Sequence, residues 1–185
     1  LNLQGTLDQL QVAVKADMTK ALLTYSHYFV KPKQIPLVLL TDELTIKQGR
    51  ELNGGVDVHF GDAKIKGSVV KFDIFSKMGE VTFLTNLVPL QGWQQYLPTF
   101  SGYEFSGNTK FFANGKGDFQ NIGTMLLMYH VVFEQVGVRA GSNPSLIQNL
   151  NGTVDVSPLD LETKDLNFDF GNTHFAIQAK MFFRK

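Results

Sequence analysis

Apolar and polar residues alternate along most of the chain. Leu1-Asn2-Leu3-Gln4-Gly5 and Leu10-Gln11-Val12-Ala13-Val14-Lys15-Ala16 both have a two-residue period, the signature of half-buried strands. Leu7-Asp8-Gln9 between them reads as a turn. After Asp17 the period lengthens. Met18, Leu22, Tyr25 and Phe29 predict a short helix over 18–29, with Asp17 as its N-cap and Pro32 beyond its end. Strands resume at Ile35–Leu40, Leu44–Lys47, Leu52–Phe60, Ala63–Val69, Phe72–Phe75 and Val81–Leu84, with Gly61-Asp62 as a turn. Leu90, Trp93 and Leu97 share helical spacing and predict a second short helix within 87–97, ending at Pro98. Trp93 with Gln94, Gln95 and Tyr96 suits a cap on one end of a groove better than a sugar-stacking platform.

Tyr103–Ala113 alternates again, and Asn114-Gly115-Lys116-Gly117 signals a turn. Segment 122–138 mixes two signals. Met125–Met128 looks helical and Tyr129–Phe133 looks extended, so a short helix or loop followed by a strand is expected. Ser142-Asn143-Pro144 is a loop. Leu150–Val156, Asp160–Thr163, Leu166–Phe170 and Thr173–Phe182 close the chain as strands, with Leu166, Phe168 and Phe170 facing one way. The fold class that follows is mainly β with a few short helices, built of repeated antiparallel strands. No helix-strand rhythm supports a doubly wound α/β fold. No linker divides residues 1–185, so a single β-rich region is expected.

One stretch repeats. Leu52-Asn53-Gly54-Gly55-Val56-Asp57-Val58 recurs as Leu150-Asn151-Gly152-Thr153-Val154-Asp155-Val156, differing only at Gly55 and Thr153. The echo extends over 52–72 and 150–182, where Gly61-Asp62 and Gly171-Asn172 occupy matching places. Shared hairpin chemistry accounts for part of it; six identities in seven positions favour a structural repeat.

Composition narrows the function. The 17 basic and 17 acidic side chains cancel, leaving no basic footprint for nucleic acid. With no Cys, disulfides and thiolate chemistry are out. His27, His59, His130 and His174 lie too far apart in sequence for a local zinc pair. Neither a Gly-x-Ser-x-Gly elbow nor a phosphate loop is present. The acidic run Asp155, Asp160, Glu162, Asp165 and Asp169 matches no calcium loop and reads as solvated outer-face charge. Asn151-Gly152-Thr153 is a sequon explained by turn chemistry. No cofactor, metal or catalytic residue is expected, and the chain is not read as an enzyme.

The end of the chain, Leu150-Asn151-Gly152-Thr153-Val154, then Leu159-Asp160-Leu161-Glu162-Thr163-Lys164-Asp165-Leu166, then Gly171-Asn172-Thr173-His174-Phe175-Ala176-Ile177-Gln178-Ala179, resembles the C-terminal repeats of the AsmA family. Gly5-Thr6-Leu7-Asp8 and Phe105-Ser106-Gly107 are similar to that family's entries into strands. The likeness spans most of the chain through degenerate positions, and 122–138 departs from it. It implies repeated strands forming a curved sheet or groove, apolar on its concave face, in a piece of a larger periplasmic protein, tethered to the bacterial inner membrane by an anchor outside this segment and linked to outer-membrane lipid homeostasis. The family offers no catalytic residues to carry over. The implied partners are phospholipid or another acyl-chain ligand and neighbouring repeats of the full-length protein. Such a groove would be lined from the cleanest strands by Val12, Val14, Val56, Val58, Ile65, Phe168, Phe170, Phe175 and Ile177. The alternatives are a structural or interaction module, part of an outer-membrane barrel, and an enzyme without a visible motif.

Overall fold

The computed structural model describes residues 1–6, 8–141 and 146–183. Fourteen strands account for most of them: β1 (Asn2–Gly5), β2 (Gln9–Asp17), β3 (Leu23–Tyr25), β4 (Phe29–Lys31), β5 (Leu37–Lys47), β6 (Glu51–Phe60), β7 (Ala63–Asp73), β8 (Met78–Thr85), β9 (Val88–Pro89), β10 (Tyr103–Asp118), β11 (Leu126–Ala140), β12 (Ile147–Val156), β13 (Asp160–Phe170) and β14 (Thr173–Phe182). Twelve of these form one antiparallel sheet in the order β1-β2-β5-β6-β7-β8-β10-β11-β12-β13-β14, with β9 on β10; β3 and β4 form a separate hairpin. Apart from the two excursions at β3–β4 and β9, the sheet is a plain meander. The mostly β, antiparallel fold class read from the sequence is the one observed.

Register places the apolar positions together. Leu3 opposes Val12, Val14 opposes Thr41, Leu39 opposes Val58 and Val58 opposes Ile65. The same side continues through Val69 with Val81, Phe83 with Ala113, Phe111 with Val131, Val131 with Val154, and Phe168 with Phe175. Partners in register share a face and neighbours along a strand alternate, so these residues form one apolar face. The other face is mixed: it carries His59 with Lys64, Glu80 with Lys116, His130 with Asp155, and Glu162 with Lys180, beside the apolar Val70, Leu84, Phe112, Leu126 and Met128.

Several strands carry an extra residue. Register slips by one at β5 between Leu40 and Thr45, β7 between Val69 and Phe72, β11 between Phe133 and Val136, and β13 between Thr163 and Leu166. Such bulges bend a strand and raise its twist, and set across a sheet they curve it. The sequence echo marks two of them. Asn53 Oδ1 accepts the Lys71 backbone N–H at 2.7 Å. Asn151 Oδ1 accepts that of Gln135 at 2.8 Å. Lys71 and Gln135 are the left-handed residues of their bulges (φ 49° and 52°), and the glycine after each Asn is itself at positive φ, Gly54 at 142° and Gly152 at 120°. A Cβ on Gly152 would lie 2.5 Å from the Asp165 carbonyl oxygen. The repeat is therefore a bulge device, applied to the following strand at β6 and to the preceding strand at β12.

Four sequence expectations are corrected. Residues 18–29 form turns and the β3–β4 hairpin, not a helix. Asp17 Oδ1 does accept the Thr19 N–H at 2.9 Å, but this local bond closes a turn. Phe29 is drawn onto Phe60 of the sheet (ring centroids 5.7 Å), leaving Leu22 and Tyr25 exposed. Within 87–97 the chain forms β9 and a 3-10 turn, Trp93–Tyr96, and Pro98 opens a second one. Gly92 at φ 85° breaks any longer helix. Asn114–Gly117 is not a turn but the interior of β10. The Asn114 carboxamide donates to Glu80 Oε1 (2.9 Å) and Thr82 Oγ1 (3.1 Å) of β8, and Gly115 leaves room for Met125. Last, Met125–Met128 is not helical: a 3-10 turn at Ile122–Thr124 leads into β11, which takes in Leu126–Met128. Leu7 and the loop Ser142-Asn143-Pro144 lie outside the described residues.

Candidate functional site

None of the described residues forms a second layer over the apolar face. Among the described residues only Phe60, Ala63, Val88, Tyr96 and Val136 are buried hydrophobics. The accessible surface is 12161 Å², roughly a third more than the ~8,900 Å² that folded monomers of this mass expose. Contacts between strands run overwhelmingly between sheet neighbours, with none of the face-to-face packing of a sandwich.

What overlies this face sits at its two rims. At one rim, where β6 turns into β7, the β3–β4 hairpin and the 86–102 segment fold inward. Phe60 packs against Phe29, Trp93 (5.8 Å) and Tyr96 (4.9 Å). Burial, with Asp62 nearby, pushes the Tyr96 phenol above its ordinary pKa. At the opposite rim Phe119 packs on Phe72 (5.4 Å), and Met125 closes over Gly115 and Gly117. The apolar face is thus a trough overhung on both sides at its central strands, β6 to β10. Its long axis crosses the strands, and ten strand spacings give it about 48 Å of length.

All nine residues named from the sequence fall on this face, five on β2, β6 and β7 and four on β13 and β14. Val12 and Val14 lie on β2, Val56 and Val58 on β6, Ile65 on β7, and all five are half-buried. Phe168 and Phe175 stack at 5.2 Å across β13 and β14. Phe170, Phe175 and Ile177 are 53%, 40% and 37% exposed. The nine are not gathered into one pocket. Reasoning from sequence missed the middle of the trough, where Phe83, Phe111, Tyr129, Val131 and Phe133 project; Phe111 and Tyr129 stack at 5.7 Å. The alternation Tyr129, Val131, Phe133 carried that signal, obscured by the Met125–Met128 run.

Among the described residues, the other face and the rims show no catalytic constellation. A cleft of about 560 Å³ is lined by Gln91, Gln94, Glu104, Gln135, Arg139 and other mostly polar groups, and contains none of the nine. The carboxylates of 155–169 do not converge. Asp155 meets His130 at 2.6 Å, Asp169 meets His174 at 2.8 Å, and Asp160 and Glu162 share Lys180. The Ser157 hydroxyl, then Lys180, holds the Asp160 carboxyl below its ordinary pKa; Asn149, then His174, does so for Asp169. Among the described residues no three His, Asp or Glu side chains are placed to hold a metal. No described helix is long and apolar enough to cross a membrane. Compared with protein-family models, with curated proteins and with solved structures, the chain matches none.

Proposed function

We propose that this chain is a lipid-holding segment of an AsmA-like periplasmic protein, which shields acyl chains in the overhung apolar trough and lets them move along it. The observation that carries the reading is a continuous apolar face, bounded at both rims and covered by no second layer among the described residues. Covering such a face with hydrocarbon is favourable by about 0.8 kcal/mol per methylene. A trough that binds by burial alone needs no polar code, and Thr41 and Thr163, polar residues on this face, are buried. Curvature from the recurrent bulges suits a trough better than a flat sheet.

Native mass spectrometry of the purified protein, with extraction and identification of bound lipid, tests this. The expected result is co-purified phospholipid at fixed stoichiometry, lost in Phe175→Asp while the fold is kept. A folded, lipid-free protein that takes up no added phospholipid overturns the reading. A second reading rests on β14, all ten of whose residues are exposed and which ends the sheet order. An open edge is a template for another strand, so a structural module joining neighbouring repeats through β14 is the alternative.

A further inference from the structure

The two excursions that overhang the Phe60 rim differ from the rest of the molecule in charge. The chain has 17 Asp and Glu residues, yet none lies between Met18 and Pro36, and residues 86–102 carry no charged side chain at all. The hairpin segment has Lys20, Lys31 and Lys33 instead; Asp17 and Asp62 only border the lobe. At the other rim each turn has a carboxylate at or beside it: Asp8, Glu51, Asp73, Asp118 and Asp160.

The lobe is also firmly built. Lys31 is fully buried, and its ammonium donates to the carbonyls of Thr19 (3.1 Å), Ala21 (2.9 Å) and Pro32 (3.1 Å). That bond set closes the hairpin from within. Thr99 Oγ1 donates to the His27 carbonyl at 3.2 Å, tying the second excursion to the first. One side of the lobe faces the trough through Phe29, Trp93 and Tyr96. The lobe also presents apolar groups to solvent: Leu22 is 56% exposed, Tyr25 72%, Tyr28 56% and Phe100 45%, with the Tyr25 and Tyr28 rings 6.5 Å apart. Lys20 and Lys33, in the same hairpin segment, are exposed and form no ion pair among the described residues.

Exposed tyrosines with an aliphatic neighbour and unpaired lysines, on a rigid lobe free of carboxylates, match the chemistry of a bilayer interface. Amphipathic rings settle at headgroup level and lysines are drawn to anionic lipid. We propose that this lobe docks the protein on an anionic lipid bilayer surface and sets one rim of the trough against the headgroups. The purpose of docking rests on the lipid-holding reading; its geometry does not.

Flotation of the whole protein with phosphatidylcholine vesicles, with and without phosphatidylglycerol, tests it. Binding is expected to the anionic vesicles and to weaken with salt. Tyr25→Ser with Tyr28→Ser should lower partitioning about tenfold. Lys20→Gln with Lys33→Gln should lower it about 25-fold at low salt, near fivefold per lysine. Melting temperature should hold in both, since all four side chains are exposed. Parent and variants floating alike, indifference to anionic lipid, or no flotation each overturns the docking. Phe175→Asp separates the two readings: it should float like the parent while losing bound acyl chains. Lobe-dependent flotation of a protein that never takes up acyl chains would sink the lipid-holding reading and leave the docking standing.

Discussion

Asn53 and Asn151 are predicted to be paired clamps on two bulges, and replacing either with Ala tests the structural meaning of the repeat. Each side chain makes two bonds that Ala cannot. Asn53 accepts the Lys71 N–H at 2.7 Å and donates to Glu51 Oε1 at 2.8 Å. Asn151 accepts the Gln135 N–H at 2.8 Å and donates to the Asn149 carbonyl at 2.7 Å. A net ~0.5–1.5 kcal/mol per bond, lowered by partial exposure, gives about 1–2 kcal/mol for each substitution. For a chain of this size that is a fall in melting temperature of about 2–8 °C. The two sites lie about 24 Å apart across five strand spacings, so the double variant should show the sum. Circular dichroism melts supply the stability. Amide hydrogen exchange at Lys71 and Gln135 supplies the local readout, because those N–H groups lose their acceptors. Unchanged melting together with unchanged protection at the Gln135 amide would refute the clamp and reduce the echo to a coincidence of sequence.

Two further outcomes are expected. Asp73 sits in the β7–β8 turn with its carboxyl lowered to about 2, first by the Ser76 backbone N–H, against partial desolvation, and then by Arg50 and the Phe75 N–H. Because the folded-state value is depressed, this turn's contribution is complete above the ordinary carboxylate range and is lost as pH falls through about 2; an NMR titration giving an unshifted Asp73 would contradict it. Phe60→Ala removes the ring on which Phe29, Trp93 and Tyr96 converge, at a cost of about 3–5 kcal/mol. The chain's one tryptophan should then emit at longer wavelength, and an unmoved spectrum would mean that the overhang does not depend on Phe60.

Alternation made the sheet legible because side-chain direction in a strand follows sequence with period two. Thr173–Phe182 is predicted to the residue, and the facing of Phe168 toward the side of Phe175 holds. Breaks within strands were less legible. Ile35–Leu40 and Leu44–Lys47 are one strand, as are Asp160–Thr163 and Leu166–Phe170, because a bulge interrupts periodicity without ending the pairing. The helix expected at 18–29 failed for a different reason. Met18, Leu22, Tyr25 and Phe29 do stand at helical spacing, but only Phe29 among the last three finds a burial partner, and that partner is Phe60, thirty-one residues away. The buried Lys31 had no sequence signal either, since its three acceptors are backbone carbonyls. The trough rims escaped for the same reason: overhang depends on long-range packing of Trp93 and Phe119.

The positions that repeat and the positions that line the trough are governed by different constraints. An apolar surface made to cover hydrocarbon asks only for bulk and alternation, so Val56 opposite a glycine at one place and Phe168 opposite Phe175 at another serve alike. A bulge asks for more. It needs a residue tolerating left-handed backbone, an acceptor at hydrogen-bond distance from the freed N–H, and a neighbour without a Cβ where a carbonyl approaches within 2.5 Å. The acceptor falls on the Asn of Leu-Asn-Gly, and at β12 the glycine after it faces the Asp165 carbonyl of the next bulge, and that is where the chain repeats itself. Sequence identity within this protein therefore tracks the bending of the sheet, while the face it bends is free to drift. It follows that substitutions of one large apolar residue for another in the trough should be tolerated, and that the Asn-Gly steps should not be.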